Sequence, residues 1–261
     1  MQASVHHATY EDVMFANGIV KIARGTKEVG LHYPLKPFVF ENAMVIGIQD
    51  ASFSNDSAVQ ESGKKLGHRS QSGRLLCLAD ASFRDKQQGH LLLLDWHSTT
   101  LKRVCRSTMQ AETLSLMHGS EETEHFRLVL HGLRHRHDRR DRQWLVEAQD
   151  TIQMDWYTDC RSLEEHVNQP GIHTVGDKRL AIDLSAIRQI TWRLQGEEYG
   201  DPLLTDRVPS SATTRLIWTS TDKMPADCLT KAMKPGALTG VMNGASCDLT
   251  PTKDYGCEIT G

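Results

Sequence analysis

Four acidic side chains occupy local settings in which carboxylates gather around metal ions: Asp50, Glu112, Asp159 and Asp227. Asp50 and Asp159 close apolar, β-prone runs, and the other two lie near the starts of predicted helices. Carboxylates at strand ends and helix starts can converge at one edge of an α/β sheet, where ligands bind. Because the charges in such a cluster repel one another, cations must fill it. Two divalent ions about 3.5–4 Å apart would neutralise the cluster and clamp a phosphodiester for in-line hydrolysis.

Each acid taken alone also has an ordinary structural explanation. Asp50 fits a turn that ends a strand, and Asp159 fits a helix N-cap. Glu112 and Asp227 fit the first turn of a helix, where a negative charge complements the helix dipole. The four together, in this order, favour a metal site. Carboxylates are hard ligands, which suit Mg²⁺ or Mn²⁺ rather than zinc.

The bulk composition indicates a soluble protein that can build a core. The chain has 261 residues, enough for one large domain with or without extensions, and its mean hydropathy is −0.45. No apolar run approaches the roughly 18 residues of a membrane span, and residues 1–7 lack the features of a secretory signal. The cysteines show no Cys-x-x-Cys spacing, which argues against a zinc ribbon. We therefore expect an intracellular protein, cytoplasmic or nuclear, with reduced thiols and no membrane partner.

The net charge of −3 does not by itself indicate a nucleic-acid binder, but basic residues cluster locally. Lys102, Arg103 and Arg106 lie shortly before Glu112 and are candidates for contacts with backbone phosphates, whose neutralisation dominates nucleic-acid affinity. A second basic run, 134–142, is either a solvated helix end and linker or a further phosphate contact.

The order of the elements predicts an α/β fold. Apolar and alternating runs predict strands over 43–50, 74–79, 91–97, 151–158 and 215–219. Apolar stripes predict helices over 8–29, 107–133, 161–167 and 177–192, and a last helix from Pro225. The pattern implies a mixed five-stranded sheet, an antiparallel three-strand meander plus two parallel strands, with helices on both faces. The tail, 235–261, is rich in Gly, Thr and Ser and is expected to be poorly ordered.

One tetrapeptide occurs twice at predicted strand ends. Asp50-Ala-Ser-Phe53 ends the first strand, and Asp80-Ala-Ser-Phe83 ends the second. Asp and Ser suit tight turns, so we interpret the second copy as a hairpin turn. A duplicated metal site is the alternative.

Six short motifs between residues 43 and 233 resemble the ribonuclease H domain of Ty1/copia-type retrotransposon polyproteins. They are Ile48-Gln-Asp-Ala51, Ser70-Gln-Ser-Gly73, Leu94-Asp-Trp-His-Ser98, Ser107-Thr-Met-Gln-Ala-Glu112, Thr158-Asp-Cys-Arg-Ser-Leu163 and Ala226-Asp-Cys-Leu-Thr-Lys231. In that family one acid ends strand one, a Glu lies on the first helix, a third acid follows strand four and a fourth lies in an Ala-Asp-x-Leu-Thr-Lys segment. Each of these falls on a matching residue of this chain.

The resemblance implies a ribonuclease H-like fold in which Asp50, Glu112, Asp159 and Asp227 hold two Mg²⁺ ions, with Mn²⁺ as a substitute. It also implies hydrolysis of the RNA strand of an RNA–DNA hybrid. RNA would be distinguished from DNA by its 2′-hydroxyls and by the shape of the hybrid. Ser162, on the helix after Asp159, is either a substrate contact or a polar residue of a first turn.

The N-terminal part is similar to the end of the reverse-transcriptase region that precedes this domain in the family. The similarity lies in a helix followed by Gly25-Thr-Lys-Glu-Val-Gly-Leu-His-Tyr33. We therefore divide the chain into a remnant of the reverse-transcriptase thumb or connection region at 1–40, a ribonuclease H-like domain at 41–234, and the tail. The rest of a reverse transcriptase is a candidate partner beside the hybrid.

Two other function classes compete with this nuclease. Integrases and transposases share the fold, but their acids run Asp, Asp, Glu, whereas the Glu comes second here. The other alternative is a decayed, non-catalytic retroelement fragment that binds nucleic acid or packs against a polymerase. Ser52 stands where the family often has a second Asp, and no His follows His173, so His-assisted product release is not expected.

Overall fold

A five-stranded sheet forms the centre of the computed structural model. The structure describes residues 9–25, 27, 30–33, 38–56, 69–135, 142–169, 175–192, 213–231 and 233–251. Its strands are β1 (Ala43–Asp56), β2 (Arg69–Asp80), β3 (Gln88–His90), β4 (Leu92–Thr100), β5 (Met154–Thr158), β6 (Thr214–Trp218) and β7 (Ser246–Asp248). The strands β3 and β7 make a separate small sheet, and the other five make the central one.

The strand order of the central sheet is β4-β2-β1-β5-β6. β1 pairs antiparallel with β2, and β2 pairs antiparallel with β4, while β5 runs parallel to both β1 and β6. The predicted fold class, a mixed five-stranded sheet made of an antiparallel meander and two parallel strands, is confirmed. β1 and β2 are longer than the sequence pattern indicated, and the residues between them, 57–68, lie outside the described part of the chain.

Three helices cover one face of the sheet: α3 (Thr108–His135), α5 (Arg161–Asn168) and α6 (Lys178–Thr191). Their apolar side chains form a core with the sheet that includes Val45, Leu116 and Trp156. Trp156 Nε1 donates a hydrogen bond to Thr123 Oγ1 of α3 (2.9 Å). A Cβ added to Gly47 of β1 would lie 2.9 Å from Thr123 Cγ2, so α3 lies almost on the sheet backbone.

Shorter elements cover the opposite face: α2 (Phe83–Lys86), α7 (Asp227–Thr230) and α8 (Gly236–Met242). A second core joins them to side chains such as Ile48 and Tyr157. Helices therefore lie on both faces, as predicted. The helix expected from Pro225 is a single turn, and at Lys231 the backbone is already extended (φ −127°, ψ 147°).

The tail differs from the prediction. Residues 236–242 form α8, and β7 pairs antiparallel with β3. Leu238, Val241 and Leu249 are buried in the second core. Residues 236–251 therefore form regular elements where the sequence predicted poor order, because apolar side chains of this stretch complete that core. Residues 252–261 lie outside the described part of the chain.

An unpredicted helix, α4 (Arg142–Thr151), precedes β5. The strand predicted from residue 151 begins only at Met154. Ala148 of α4 is fully buried, and the ring of Trp144 packs edge-on against His131 of α3 at 5.8 Å. The helix is positioned by this contact with α3, which no pattern within the segment indicates.

The N-terminal helix, α1 (Tyr10–Gly25), agrees with the predicted helix, and its apolar side chains are largely exposed. After it, His32 N donates a hydrogen bond to Met242 O (2.7 Å), and Tyr33 Oη donates one to Leu93 O (2.9 Å). These contacts tie residues 30–33 to α8 and β4. None of the described helices is both long and apolar enough to cross a membrane.

Candidate metal centre

The parallel pairing of β1 and β5 brings Asp50 and Asp159 together, although Asp50 lies within β1 and does not end this strand as predicted. β1 and β5 pair as far as Ile48↔Tyr157, and each acid lies two residues beyond that last pair. Glu112 reaches the same place from the start of α3. One ligand oxygen of each of the three carboxylates lies within 4.8 Å of the others. The structure thus joins three of the four predicted acids in one cluster.

The start of α3 sets the position of Glu112. Ser107 Oγ accepts a hydrogen bond from Gln110 N (3.1 Å), which caps the helix just before this acid. Glu112 is only 3% exposed. Burial, reinforced by the charges of the other two carboxylates, raises the pKa of Glu112 well above its ordinary value, and a hydrogen bond from the backbone of Ala51 only partly offsets this. The site therefore favours a bound cation or a proton at Glu112.

Asp50 is the most deeply buried of the acids, at 1% exposure. Its Oδ2 accepts a hydrogen bond from Thr230 Oγ1, but its Oδ1 has no hydrogen-bond partner among the described residues. Burial raises the pKa of Asp50 to about 6. Asp159 and Asp227 act in the same direction, and Thr230 and Lys231 oppose them. A buried carboxylate oxygen without a donor is an uncompensated polar atom, and a divalent cation would satisfy it.

The end of β6 and the segment after it orient Asp159. Thr221 Oγ1 donates to Asp159 Oδ2 (2.9 Å), and Trp218 Nε1 donates to its backbone oxygen (3.0 Å). Burial raises the pKa of this carboxyl as well. The position of Asp159 thus depends on a neighbouring strand as well as on its own.

The fourth acid, Asp227, stands beside the cluster rather than within the group of three. It begins α7, which lies directly on the backbone of β2 at Gly73, the register partner of Asp50. A Cβ at Gly73 would lie 2.8 Å from Leu229 Cβ and from Thr230 Cγ2. Only glycine leaves room for α7 here, and this close approach brings Asp227 and Thr230 next to Asp50.

Sequence reasoning missed a lysine in this site. Lys231 Nζ lies 2.5 Å from Asp227 Oδ1 and 3.8 Å from Asp50 Oδ1. Burial lowers the pKa of Lys231, but the surrounding carboxylates outweigh this and raise it above its ordinary value. Its position four residues after Asp227 was an available signal, because acids and bases at this spacing share a helix face. Thr221 and Thr230, which orient the acids, carried no comparable signal.

The predicted phosphate-binding residues lie in the loop between β4 and α3. Arg103 Nη1 is 2.8 Å from Asp183 Oδ2, and Arg106 Nη1 is 3.8 Å from Asp177 Oδ2. Both partners belong to α6 or its N-cap, so these arginines tie the loop to that helix. Lys102 is exposed. A contact of any of the three with nucleic acid stays a prediction.

The remaining candidates are not among the three clustered acids. Ser162 is exposed on the first turn of α5. Arg134 donates hydrogen bonds to Phe40 O (2.9 Å) and Ala43 O (2.5 Å), so it holds the segment that enters β1. Residues 136–141 of the basic run lie outside the described part of the chain.

The second Asp-Ala-Ser-Phe copy forms a turn. Asp80 Oδ1 accepts a hydrogen bond from Ser82 N (2.9 Å), and Phe83 is buried in the second core. Asp80 pairs with Ala43, seven positions from Asp50 along β1, or about 23 Å away at roughly 3.3 Å per residue. The second copy is a turn, but it leads from β2 into α2 and does not close a hairpin directly as predicted. The described residues form no second acidic cluster there.

No protein-family model and no curated protein matches this sequence. Among solved structures, the chain is similar to LC11-RNase H1, isolated from compost by a metagenomic approach. The identity is 14%, the match covers 75% of this chain and 98% of that one, and the TM-score is 0.41. It is also similar to the N-terminal RNase H domain of rv2228c from Mycobacterium tuberculosis, solved as a fusion with maltose-binding protein. Here the identity is 13%, the coverage is 76% and 98%, and the TM-score is 0.37. Because both identities and both TM-scores are low, the fold and the candidate site of this chain are described from its own sheet and acidic cluster.

Proposed function

We propose that this chain is a metal-dependent ribonuclease H that hydrolyses the RNA strand of RNA–DNA hybrids. One observation carries the proposal: Asp50, Glu112 and Asp159 meet within 4.8 Å just beyond the last pair of the parallel strands β1 and β5, and Asp50 Oδ1 is buried without a hydrogen-bond donor among the described residues. Buried carboxylates this close together cannot all ionise unless cations lie among them. Their oxygen-only donor set suits Mg²⁺ or Mn²⁺.

Asp50, Glu112, Asp159 and Asp227 would hold two Mg²⁺ ions. When bound, the ions would lower the pKa of an attacking water and stabilise the charge on the leaving oxygen. Thr230 donates a hydrogen bond to Oδ2 of Asp50 and so holds this carboxylate in place, while Oδ1 keeps the capacity to ligate a cation. The burial of Asp50 and Glu112 excludes bulk water and strengthens their attraction for cations.

We further attribute the domain to a Ty1/copia-type retrotransposon, with the rest of a reverse transcriptase as a partner. The six sequence motifs and the ending at 25–33 support this origin. The exposed apolar side chains of α1, such as Tyr10 at 78% and Ile22 at 66%, suit a helix that belongs with further protein. A reverse transcriptase of this type, added to the chain, should increase its cleavage of hybrid. An unchanged rate would count against the partnership.

The direct test is cleavage of a labelled RNA–DNA hybrid in Mg²⁺ and in EDTA. We expect cutting of the RNA strand only, and only with metal. Asp50→Asn should abolish cutting, because it removes the central ligand charge. Asp80→Asn is the matched control, since it changes the same residue of the same tetrapeptide away from the cluster, and it should cut normally.

The outcomes separate the competing functions. Normal turnover by a folded Asp50→Asn variant would overturn the assignment of the metal centre. A folded wild-type chain that binds hybrid but does not cut it in Mg²⁺ or Mn²⁺ would favour the decayed, non-catalytic fragment. Cutting or joining of duplex DNA ends instead would favour the integrase class.

A further inference from the structure

Lys231 occupies the side of the metal centre where Asp227 faces Asp50. Its Nζ lies 2.5 Å from Asp227 Oδ1 and 3.8 Å from Asp50 Oδ1. The second contact involves the oxygen of Asp50 that has no hydrogen-bond partner among the described residues. The ammonium group therefore stands next to the carboxylate oxygens that would ligate a divalent ion on this side.

The lysine side chain is less tightly enclosed than the acids it faces. It is 38% exposed, whereas the side chains of Asp50 and Asp227 are 1% and 5% exposed. The backbone at Lys231 has already left α7 in an extended conformation. A flexible side chain with one face toward solvent can leave the acids, while the buried acids cannot follow it.

We propose that Lys231 is a resident counter-cation of the centre. In the metal-free protein its ammonium group neutralises the negative charge of Asp50 and Asp227. When a divalent ion binds there, the ion displaces the ammonium group. The proposal rests on the metal centre of the proposed function and adds the residue that sets how much free metal the centre requires. Because the ammonium repels an incoming cation and must be displaced, the ion on this side binds more weakly than the ion among Asp50, Glu112 and Asp159.

A purely structural role makes different predictions. An acid–base pair four residues apart can stabilise a short helix. Loss of such a pair would destabilise the protein equally with and without metal, and it would not tighten metal binding. Loss of a counter-cation destabilises only the metal-free protein, where the acids lose their neutralising charge, and it strengthens the binding of divalent ions.

The experiment compares Lys231→Met, which keeps the chain length without the charge, with Lys231→Arg, which keeps the charge. Lys86→Met is the matched control, because Lys86 is an exposed lysine on α2 outside the cluster. Mn²⁺ binding is titrated by electron paramagnetic resonance without nucleic acid, and Tm is measured in EDTA and in saturating Mg²⁺. We expect Lys231→Met to lower the Kd of the weaker Mn²⁺ ion by about tenfold or more, because a unit positive charge near a divalent ion is removed. Its Tm should fall in EDTA and recover in Mg²⁺, while the other two variants stay near wild type.

The outcomes are distinct for the two proposals. Unchanged Mn²⁺ affinity, with an equal loss of Tm in EDTA and in Mg²⁺, would overturn the role of Lys231 and leave the nuclease proposal standing. Mn²⁺ binding by Lys231→Met but not by wild type would support the counter-cation and overturn the nuclease proposal for the natural chain. Absence of binding in both would overturn both.

Discussion

Replacing Gly73 with alanine tests whether the packing of α7 on β2 sets the geometry of the metal centre. Gly73 is the register partner of Asp50. The added Cβ would lie 2.8 Å from Leu229 Cβ and Thr230 Cγ2, and 2.9 Å from the carbonyl oxygen of Ala226. Ordinary contacts begin at 3.4 Å, so α7 must retreat by about 0.6 Å (3.4 − 2.8). Thr230, which holds Asp50, and Asp227 would retreat with it.

This displacement predicts losses in both stability and rate. Over-packing by one methyl group costs about 1–3 kcal/mol of unfolding free energy, and each kcal/mol lowers Tm by about 2–4 °C in a chain of this size. A misplacement of about 1 Å at a reacting centre can cost about 100-fold in rate, so we expect Gly73→Ala to lower kcat by about tenfold or more.

The assay measures initial rates on labelled hybrid at saturating Mg²⁺, together with urea unfolding. Gly240→Ala is the matched control, because a Cβ there meets nothing within 4 Å. Since alanine favours a helix over glycine by up to about 1 kcal/mol, this control should be at least as stable as wild type and equally active. Wild-type kcat and stability in Gly73→Ala would refute the reasoning. Lower stability with a normal kcat would mean that the contact packs the fold without setting the centre.

Two further predictions concern charge. The pKa of Asp50 is raised from 3.8 to about 6 in the folded protein. Between these two pH values, the folded metal-free protein still holds a proton on Asp50 that the unfolded chain has released. Its stability in EDTA, measured by urea unfolding, should therefore fall as pH rises from about 4 to about 6. Asp50→Asn should reduce that slope, and an equal slope in the variant would contradict the assignment. Arg103→Met breaks the partly exposed pair with Asp183, which should cost less than about 1 kcal/mol. If Arg103 also contacts the hybrid, the slope of log Kd against log salt should fall by about one. A fall with Lys102→Met alone would assign the phosphate contact to Lys102.

The local sequence pattern was sufficient to predict the sheet and the meeting of Asp50 and Asp159. The runs at 43–50 and 215–219 are mostly apolar and β-prone, so their type follows from their own composition. The sequence places Asp50 and Asp159 at the ends of two predicted strands, where side chains of parallel strands share one edge of a sheet. In the structure both acids lie two residues beyond the last pair of β1 and β5, although β1 itself continues to Asp56. Residue type and position along the chain are enough to bring these two acids together.

Contacts between distant segments explain the elements that the local sequence pattern did not predict. The tail is polar enough to suggest disorder, yet Leu238 and Val241 find a core that other parts of the chain supply. In α4, Ala148 is buried and Trp144 packs against α3, a long helix that ends before that segment begins. A few apolar side chains in a polar stretch indicate little by themselves, because the burial that stabilises them depends on the surface they meet.

The metal centre shows the same division. The sequence by itself determined which acids are able to hold metal ions. Tertiary structure decided that Thr230, 180 residues from Asp50, donates to it, and that Lys231 stands among the acids. Both depend on the approach of α7 to β2, which the missing side chain of Gly73 permits. The distance between two segments far apart in the chain is set by the side chains packed between them. The sequence pattern of either segment alone therefore does not predict that distance.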